Sequence, residues 1–264
     1  MRELLAELRR RDPVLASTGW VMVALLAVIL LALPFDGRSV MGLNPWVKPL
    51  KFTFSFVIYL WTLAWFLGYL TSPRWALQTI RWGISSIIVV EFLCVSVQAA
   101  RGTTSHYNDS GPFDLGVWAL MSVGIMLNTA LALLLWALFL RPAPRVPTAL
   151  LLGIRIGLLV FVLGGLQGLA MVFGGAHTVG LADGGPGLPF LDWSTRAGDL
   201  RVAHILGLHG LQAIPLAGHL AGRSSWLRSR RGRIAAVWAF AFVYVLVAAG
   251  QFVLALEGRP LLHL

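Results

Sequence analysis

Apolar residues come in long uncharged runs, broken by short polar stretches. Seven runs approach the roughly 20 residues that a helix needs to cross a bilayer's hydrocarbon core. They cover 16–34, 48–70, 82–100, 115–140, 149–174, 202–221 and 234–256. The breaks carry turn chemistry, as in Pro34-Phe35-Asp36-Gly37, Thr71-Ser72-Pro73, Ser110-Gly111-Pro112, Arg141-Pro142-Ala143-Pro144 and Gly184-Gly185-Pro186-Gly187. The pattern predicts an all-α integral membrane protein, a single bundle of about seven transmembrane helices forming one domain over 1–264. The charged start, Met1 to Asp12, resembles a signal-peptide n-region. The apolar run after it is longer than a usual signal core and lacks a small-x-small cleavage site, so it reads as a retained first span. Leu4, Leu5 and Leu8 fall on one side of an amphipathic segment over 1–15, expected on the cytoplasmic membrane surface.

Polar side chains inside such runs are costly in lipid and normally face a bundle interior or a wet cavity. The sixth run, with the residue before it, carries four on one face. At about 100° per residue, Arg201, His204, His209 and Gln212 share an arc of about 140°. The second run starts with Lys48 and Lys51 and continues the same stripe through Ser55, Tyr59 and Thr62. Snorkelling to the headgroups is the alternative for the two lysines. The third run holds Glu91 near its middle, the one acid well inside any run, with Cys94 close by, Gln98 seven residues on, and Arg101, Ser105 and His106 beyond. Asn128 and Gln167 read as interhelical hydrogen-bond partners, and Gly164, Gly165 and Gly168 as sites of close helix packing. Tyr244 and Gln251 share a face of the seventh run. His219 reads as interfacial, and His263 is terminal. The stretch 175–201, with His177, Asp183, Asp192 and Asp199, exceeds ordinary loop lengths and reads as an extracytoplasmic lid or binding loop. Plain disorder is the alternative for its glycines.

Composition narrows the picture. Only 12% of the residues are charged and 58% are hydrophobic, against about 25% charged in soluble domains. A net charge of +10 would suggest nucleic acid in a soluble protein. Here the basic residues sit in short connections, where membrane topology explains them, so no nucleic-acid partner is expected. One alternating set of segments holds Arg2, Arg9, Arg10, Arg11, Arg74, Arg81, Arg141, Arg145, Arg155, Arg223, Arg228, Arg230, Arg231 and Arg233. The other holds Arg38, Lys48, Lys51, Arg101, Arg196, Arg201 and Arg259. Fourteen against seven puts the first set, with the N-terminus, in the cytoplasm and the C-terminus outside. Cys94 is the single cysteine, so no intramolecular disulfide forms.

Three stretches together resemble a family of bacterial multi-span membrane proteins to which no activity is attached. They are Asn44-Pro45-Trp46-Val47-Lys48-Pro49-Leu50-Lys51-Phe52, Gln98-Ala99-Ala100-Arg101-Gly102-Thr103-Thr104-Ser105-His106-Tyr107-Asn108, and Gly198-Asp199-Leu200-Arg201-Val202-Ala203-His204. The resemblance covers most of the chain. It implies a bacterial cytoplasmic membrane and brings no cofactor or catalytic residue.

The polar faces point to an outward-facing pocket that binds, or acts on, a small anionic or lipid-like ligand at the outer leaflet. Lys48, Lys51, Arg101 and Arg201 suit phosphate or carboxylate. Tyr59, Gln98, His106, His204 and Gln212 complete the ligand-binding set. Glu91 and His209 are the candidates for moving a proton, although no nucleophile motif accompanies them. Two other readings stay open. One is a transporter for a small polar or anionic solute, for which the cytoplasmic halves supply few aligned polar residues. The other is haem or a divalent metal on His106, His177, His204 or His209. That reading is not favoured, because His204 and His209 are five residues apart, unlike an i, i+4 metal pair. The oligomeric state is left open.

Overall fold

The computed structural model describes residues 2–142 and 146–262. Arg145 and His263, and the side chains of Arg2 and Leu4, lie outside what it describes. Most of the chain is helical. The helices are α1 (Arg2–Arg11), α2 (Pro13–Ala32, continued by a 3₁₀ turn Leu33–Phe35), α3 (Val47–Leu67), α4 (Arg74–Arg101), α5 (Pro112–Leu140), α6 (Thr148–Gly174), α7 (Leu200–Arg223) and α8 (Arg230–Leu256). Two short strands, β1 (Thr178–Val179) and β2 (Gly198–Asp199), pair antiparallel.

Six of these helices are long and apolar enough to cross a membrane: α2 with its 3₁₀ turn, α3, α4, α5, α6 and α8. This is a multi-pass membrane protein. The large side chains turned outward, such as Leu31, Phe173, Phe242 and Leu246, form the apolar exterior that lipid requires. The helix matching the sixth run, α7, is 24 residues long, but its polar face lowers its hydropathy.

The helix ends follow from local chemistry. Asp12 caps α2, accepting from Leu15 N at 3.0 Å, and Pro13 occupies the first helical position, where a missing N–H costs nothing. Ser229 caps α8 through Gly232 N. Left-handed glycines close α4 and α6, Gly102 at φ 71° and Gly175 at φ 62°. One boundary differs clearly from the sequence pattern. α4 starts at Arg74 rather than near residue 82, because Pro73 stops the preceding chain and the helix carries its basic first turns at little cost. Arg81, expected in a connection, lies within that helix with Nε 3.0 Å from Asp12 Oδ2.

The chain forms two compact units, Met1–Leu131 and Ala132–Leu264, with α5 divided between them. The first unit's core is built on Leu15, Met22, Leu60, Leu63, Ile80 and Ile84, all fully buried. The second unit is organised around α6 and α7, with Ile154, Leu158, Leu211 and Ile214 fully buried. Glycine lets these two helices approach at backbone distance. A Cβ on Gly153 would stand 2.8 Å from Ile214 O, one on Gly157 2.8 Å from Gly210 O, and one on Gly164 2.7 Å from Gly207 Cα. Small residues at such spacing are the usual means of close helix packing in lipid, where the hydrophobic effect supplies no drive between helices.

Candidate functional site

In the first unit the predicted residues fall into small groups around the ends of α3 and α4. The connection before α3 is tied by its own side chains. Asn44 Nδ2 donates to Leu33 O (3.1 Å) and Asp36 O (2.6 Å), and its Oδ1 accepts from Trp46 N (2.9 Å). Trp46 Nε1 donates to Asp36 Oδ2 at 2.9 Å. Arg38 pairs with Asp36 and donates to Ala100 O at 2.8 Å, closing the C-terminal end of α4. These bonds hold the start of α3 in place, where Lys48 and Lys51 lie in the first and second turns.

Lys48 Nζ lies 3.2 Å from His106 Nδ1, and Ser105 Oγ lies 3.0 Å from the same nitrogen. An ammonium only donates, so this contact places the imidazole lone pair on Nδ1 and its hydrogen on Nε2. His106 meets Phe52 edge-on at 5.9 Å and Tyr107 at 6.0 Å. Lys51 is three residues beyond Lys48 and so shares its side of the helix.

Gln98 and Arg101 converge on Asp114, which the polar pattern does not single out. Gln98 Nε2 donates to Asp114 Oδ1 at 2.7 Å, and Arg101 pairs with the same carboxylate. Arg101 also donates to Gln98 Oε1 and lies over Phe113. Its charge is therefore answered within the protein. In sequence Asp114 lies one residue before the fourth apolar run; in the structure it sits in the first turn of α5, two residues after Pro112.

Tyr59 and Glu91 are deeper. Tyr59 donates to Asn128 Oδ1 at 2.9 Å, linking α3 to α5. Glu91 is 5% exposed, and its Oε1 has no hydrogen-bond partner among the described residues. Gly124 of α5 makes room for it, since a Cβ there would stand 2.8 Å from that oxygen.

In the second unit the residues belong to α7 and the connection before it. Asp199 is buried, caps α7 by accepting from Arg201 N (3.0 Å), and accepts from Ser194 N (2.8 Å). Arg201 returns to Asp199 Oδ2 at 2.7 Å, pairs with Asp192 and donates to the Asp192 carbonyl. This side chain too is answered by acids of its own unit. His204 Nδ1 donates to Gly164 O at 2.8 Å, and Gly168 leaves space for the ring. His209 Nδ1 lies 3.3 Å from Gln212 Oε1. Gln167 Nε2 donates to Leu200 O at 3.4 Å, and Tyr244 Oη to Leu206 O at 2.6 Å. His219 is exposed.

His177 is held by Asp183. Asp183 accepts from His177 Nδ1 (2.8 Å), from His177 N, and from Thr178 N (2.9 Å). Burial pushes its carboxyl up, but these hydrogen bonds outweigh burial and hold it well below the usual carboxylate range. A lowered carboxyl contributes stability above its unfolded value, about 4, and loses it as pH falls towards the folded one. Acidification below about pH 4 is expected to loosen the turn 177–183. At neutral pH, Asp183→Asn should reduce its hydrogen-exchange protection roughly tenfold, with the acid dependence gone.

The four candidate metal-binding histidines thus contact Lys48 and Ser105, Asp183, Gly164 O and Gln212 respectively. Among the described residues, no three His, Cys, Asp or Glu side chains are grouped to hold a metal ion.

No protein-family model, curated protein or solved structure matches the chain.

Proposed function

We propose that this is a seven-span protein of the bacterial cytoplasmic membrane that binds a small anionic or lipid-like ligand at the outer leaflet. Lys48, Lys51 and His106 make the contact. The observation that carries this reading is the Lys48–His106 pair, 3.2 Å apart, with Lys51 one turn further into the helix. An ammonium beside an imidazole is a poor arrangement for two cations and a good one for an arriving anion. The anion accepts from both lysines and from a proton taken up by His106. Arg101 and Arg201 take a different role here from the two lysines. Each is matched to acids of its own unit, and each fixes a helix end.

The topology is part of the same proposal. The length of α7 supports its crossing as a seventh span, with Arg201, His204 and His209 bonded to protein groups rather than left to lipid. The excess of basic residues in alternate connections supports a cytoplasmic N-terminus and an extracytoplasmic C-terminus. With that orientation, Lys48, Lys51 and His106 lie at the outer surface. The likeness to bacterial multi-span proteins supports the choice of membrane.

The test is thermal stabilisation of purified protein in neutral detergent. Dihexanoyl phosphatidic acid should raise the melting temperature, and dihexanoyl phosphatidylcholine should not. The double variant Lys48→Gln, Lys51→Gln should need about thirtyfold more of the anionic compound, at about 1 kcal/mol per surface charge. Equal responses of the variant and the parent would overturn the reading.

A further inference from the structure

The first unit carries a second place with the chemistry of a lipid site, at the opposite end of the proposed topology. α1 and α2 meet at Asp12 and leave a groove between them of about 450 Å³, lined by Leu5, Ala6 and Arg9 from α1 and Ala16, Ser17 and Trp20 from α2. Leu5 and Arg9 are four residues apart, as are Ala16 and Trp20, so each helix presents one continuous face to it. Its volume is within the range of about 300–1,000 Å³ typical of ligand sites.

The corner is rigidly built. Arg11 packs over Trp65 and Tyr69, with its guanidinium carbon 4.1 and 4.5 Å from the ring centroids, and donates to Trp65 O at 3.0 Å. Gly68 makes space for that side chain. Asp12 caps α2 and faces Arg81. Trp20 is set by an edge contact with Trp61 at 5.3 Å. The groove is therefore a fixed surface beside a membrane-spanning helix.

The charges are unevenly used. Glu7 accepts from Arg10 (2.6 Å) and Arg11 (2.7 Å). Arg9 is exposed at the groove and has no hydrogen bond or ion pair among the described residues. An apolar floor with one uncompensated guanidinium at its rim, at the mouth of a transmembrane helix, matches an anionic headgroup joined to an acyl chain.

We propose that this groove binds an anionic phospholipid of the cytoplasmic leaflet, its phosphate on Arg9 and an acyl chain along Leu5, Ala6, Ala16 and Trp20. The experiment is native mass spectrometry of the full chain, extracted in mild detergent and titrated with dioleoyl phosphatidylglycerol or dioleoyl phosphatidylcholine. Phosphatidylglycerol should be retained in preference. Arg9→Gln should weaken its binding about fivefold, while Arg10→Gln should not. Ala6→Phe, which fills the exposed edge of the groove and leaves every charge in place, should weaken it as well. Lys48→Gln, Lys51→Gln should leave the groove-dependent part of the binding intact, separating this site from the outer one. No preference between the lipids, equal binding by Arg9→Gln and the parent, or competition by millimolar inorganic phosphate would each overturn the proposal.

Discussion

Gly164→Leu is expected to prevent the second unit from reaching its folded state. α6 and α7 run past each other with glycine facing backbone at successive levels: Gly153 against Ile214, Gly157 against Gly210, and Gly164 against Gly207. Gly218 faces the Ala149 carbonyl in the same manner. At Gly164 the obstacle is backbone on the partner helix, so no rotamer change accommodates a larger side chain. The helices must separate, which forfeits the dispersion contacts along their length and stretches the His204–Gly164 hydrogen bond. The cost is placed at about 3 kcal/mol or more, the upper end of overpacking effects. Gly250→Leu on α8 is the control, because a Cβ there meets nothing within 4 Å. It should change stability by less than about 0.5 kcal/mol. Size-exclusion profiles of heated samples should show Gly164→Leu aggregating well below the parent and Gly250→Leu matching it. Equal profiles for the two variants would refute the packing account.

The second large effect is expected at Arg201. Asp199 is 2% exposed, and Arg201 supplies its ionic partner while Asp192 supplies a second anchor for the guanidinium. Arg201→Met removes the positive charge and leaves a buried carboxylate with backbone donors alone. Breaking a buried pair from one side costs about 3–5 kcal/mol. Asn is as good an N-cap as Asp, so Asp199→Asn in the same chain removes the stranded charge and keeps the cap on α7. The double variant should therefore recover much of the lost melting temperature. A thermal double-mutant cycle reads the coupling directly. If the two losses simply added, Arg201 would be acting independently of Asp199.

These two cases show what the sequence made legible. Long apolar runs place the membrane helices, because length and hydropathy are properties of contiguous residues. The polar stripes on α3 and α7 were legible for the same reason. Partnerships were not. Tyr59 and Asn128 are each visible as polar residues in apolar runs, but 69 positions separate them, and periodicity carries no information across that distance. Asp114 stands just before the fourth apolar run, and no periodicity ties it to Gln98 and Arg101, which meet on it. Arg81 stands one residue before the third apolar run, and its partner, Asp12, precedes the first span.

The stretches that seemed most motif-like turn out to serve helix ends. Asn44 and Trp46 tie the entry to α3, Gly102 takes the left-handed position that closes α4, and Asp199 caps α7. Such devices need particular residues at fixed offsets, which is why they stand out in sequence as a binding motif would. Discounting them leaves Lys48, Lys51 and His106 as the candidates whose chemistry is best matched to an external anion.

The most direct measurement is an experimental structure of the protein extracted in mild detergent with its native lipids and inspected at the start of α3. The account predicts ordered density for a phosphate or carboxylate group about 3 Å from the Lys48 and Lys51 ammonium groups and beside the His106 ring. Lysine side chains directed away from His106, with no ordered anionic group between them, would contradict it.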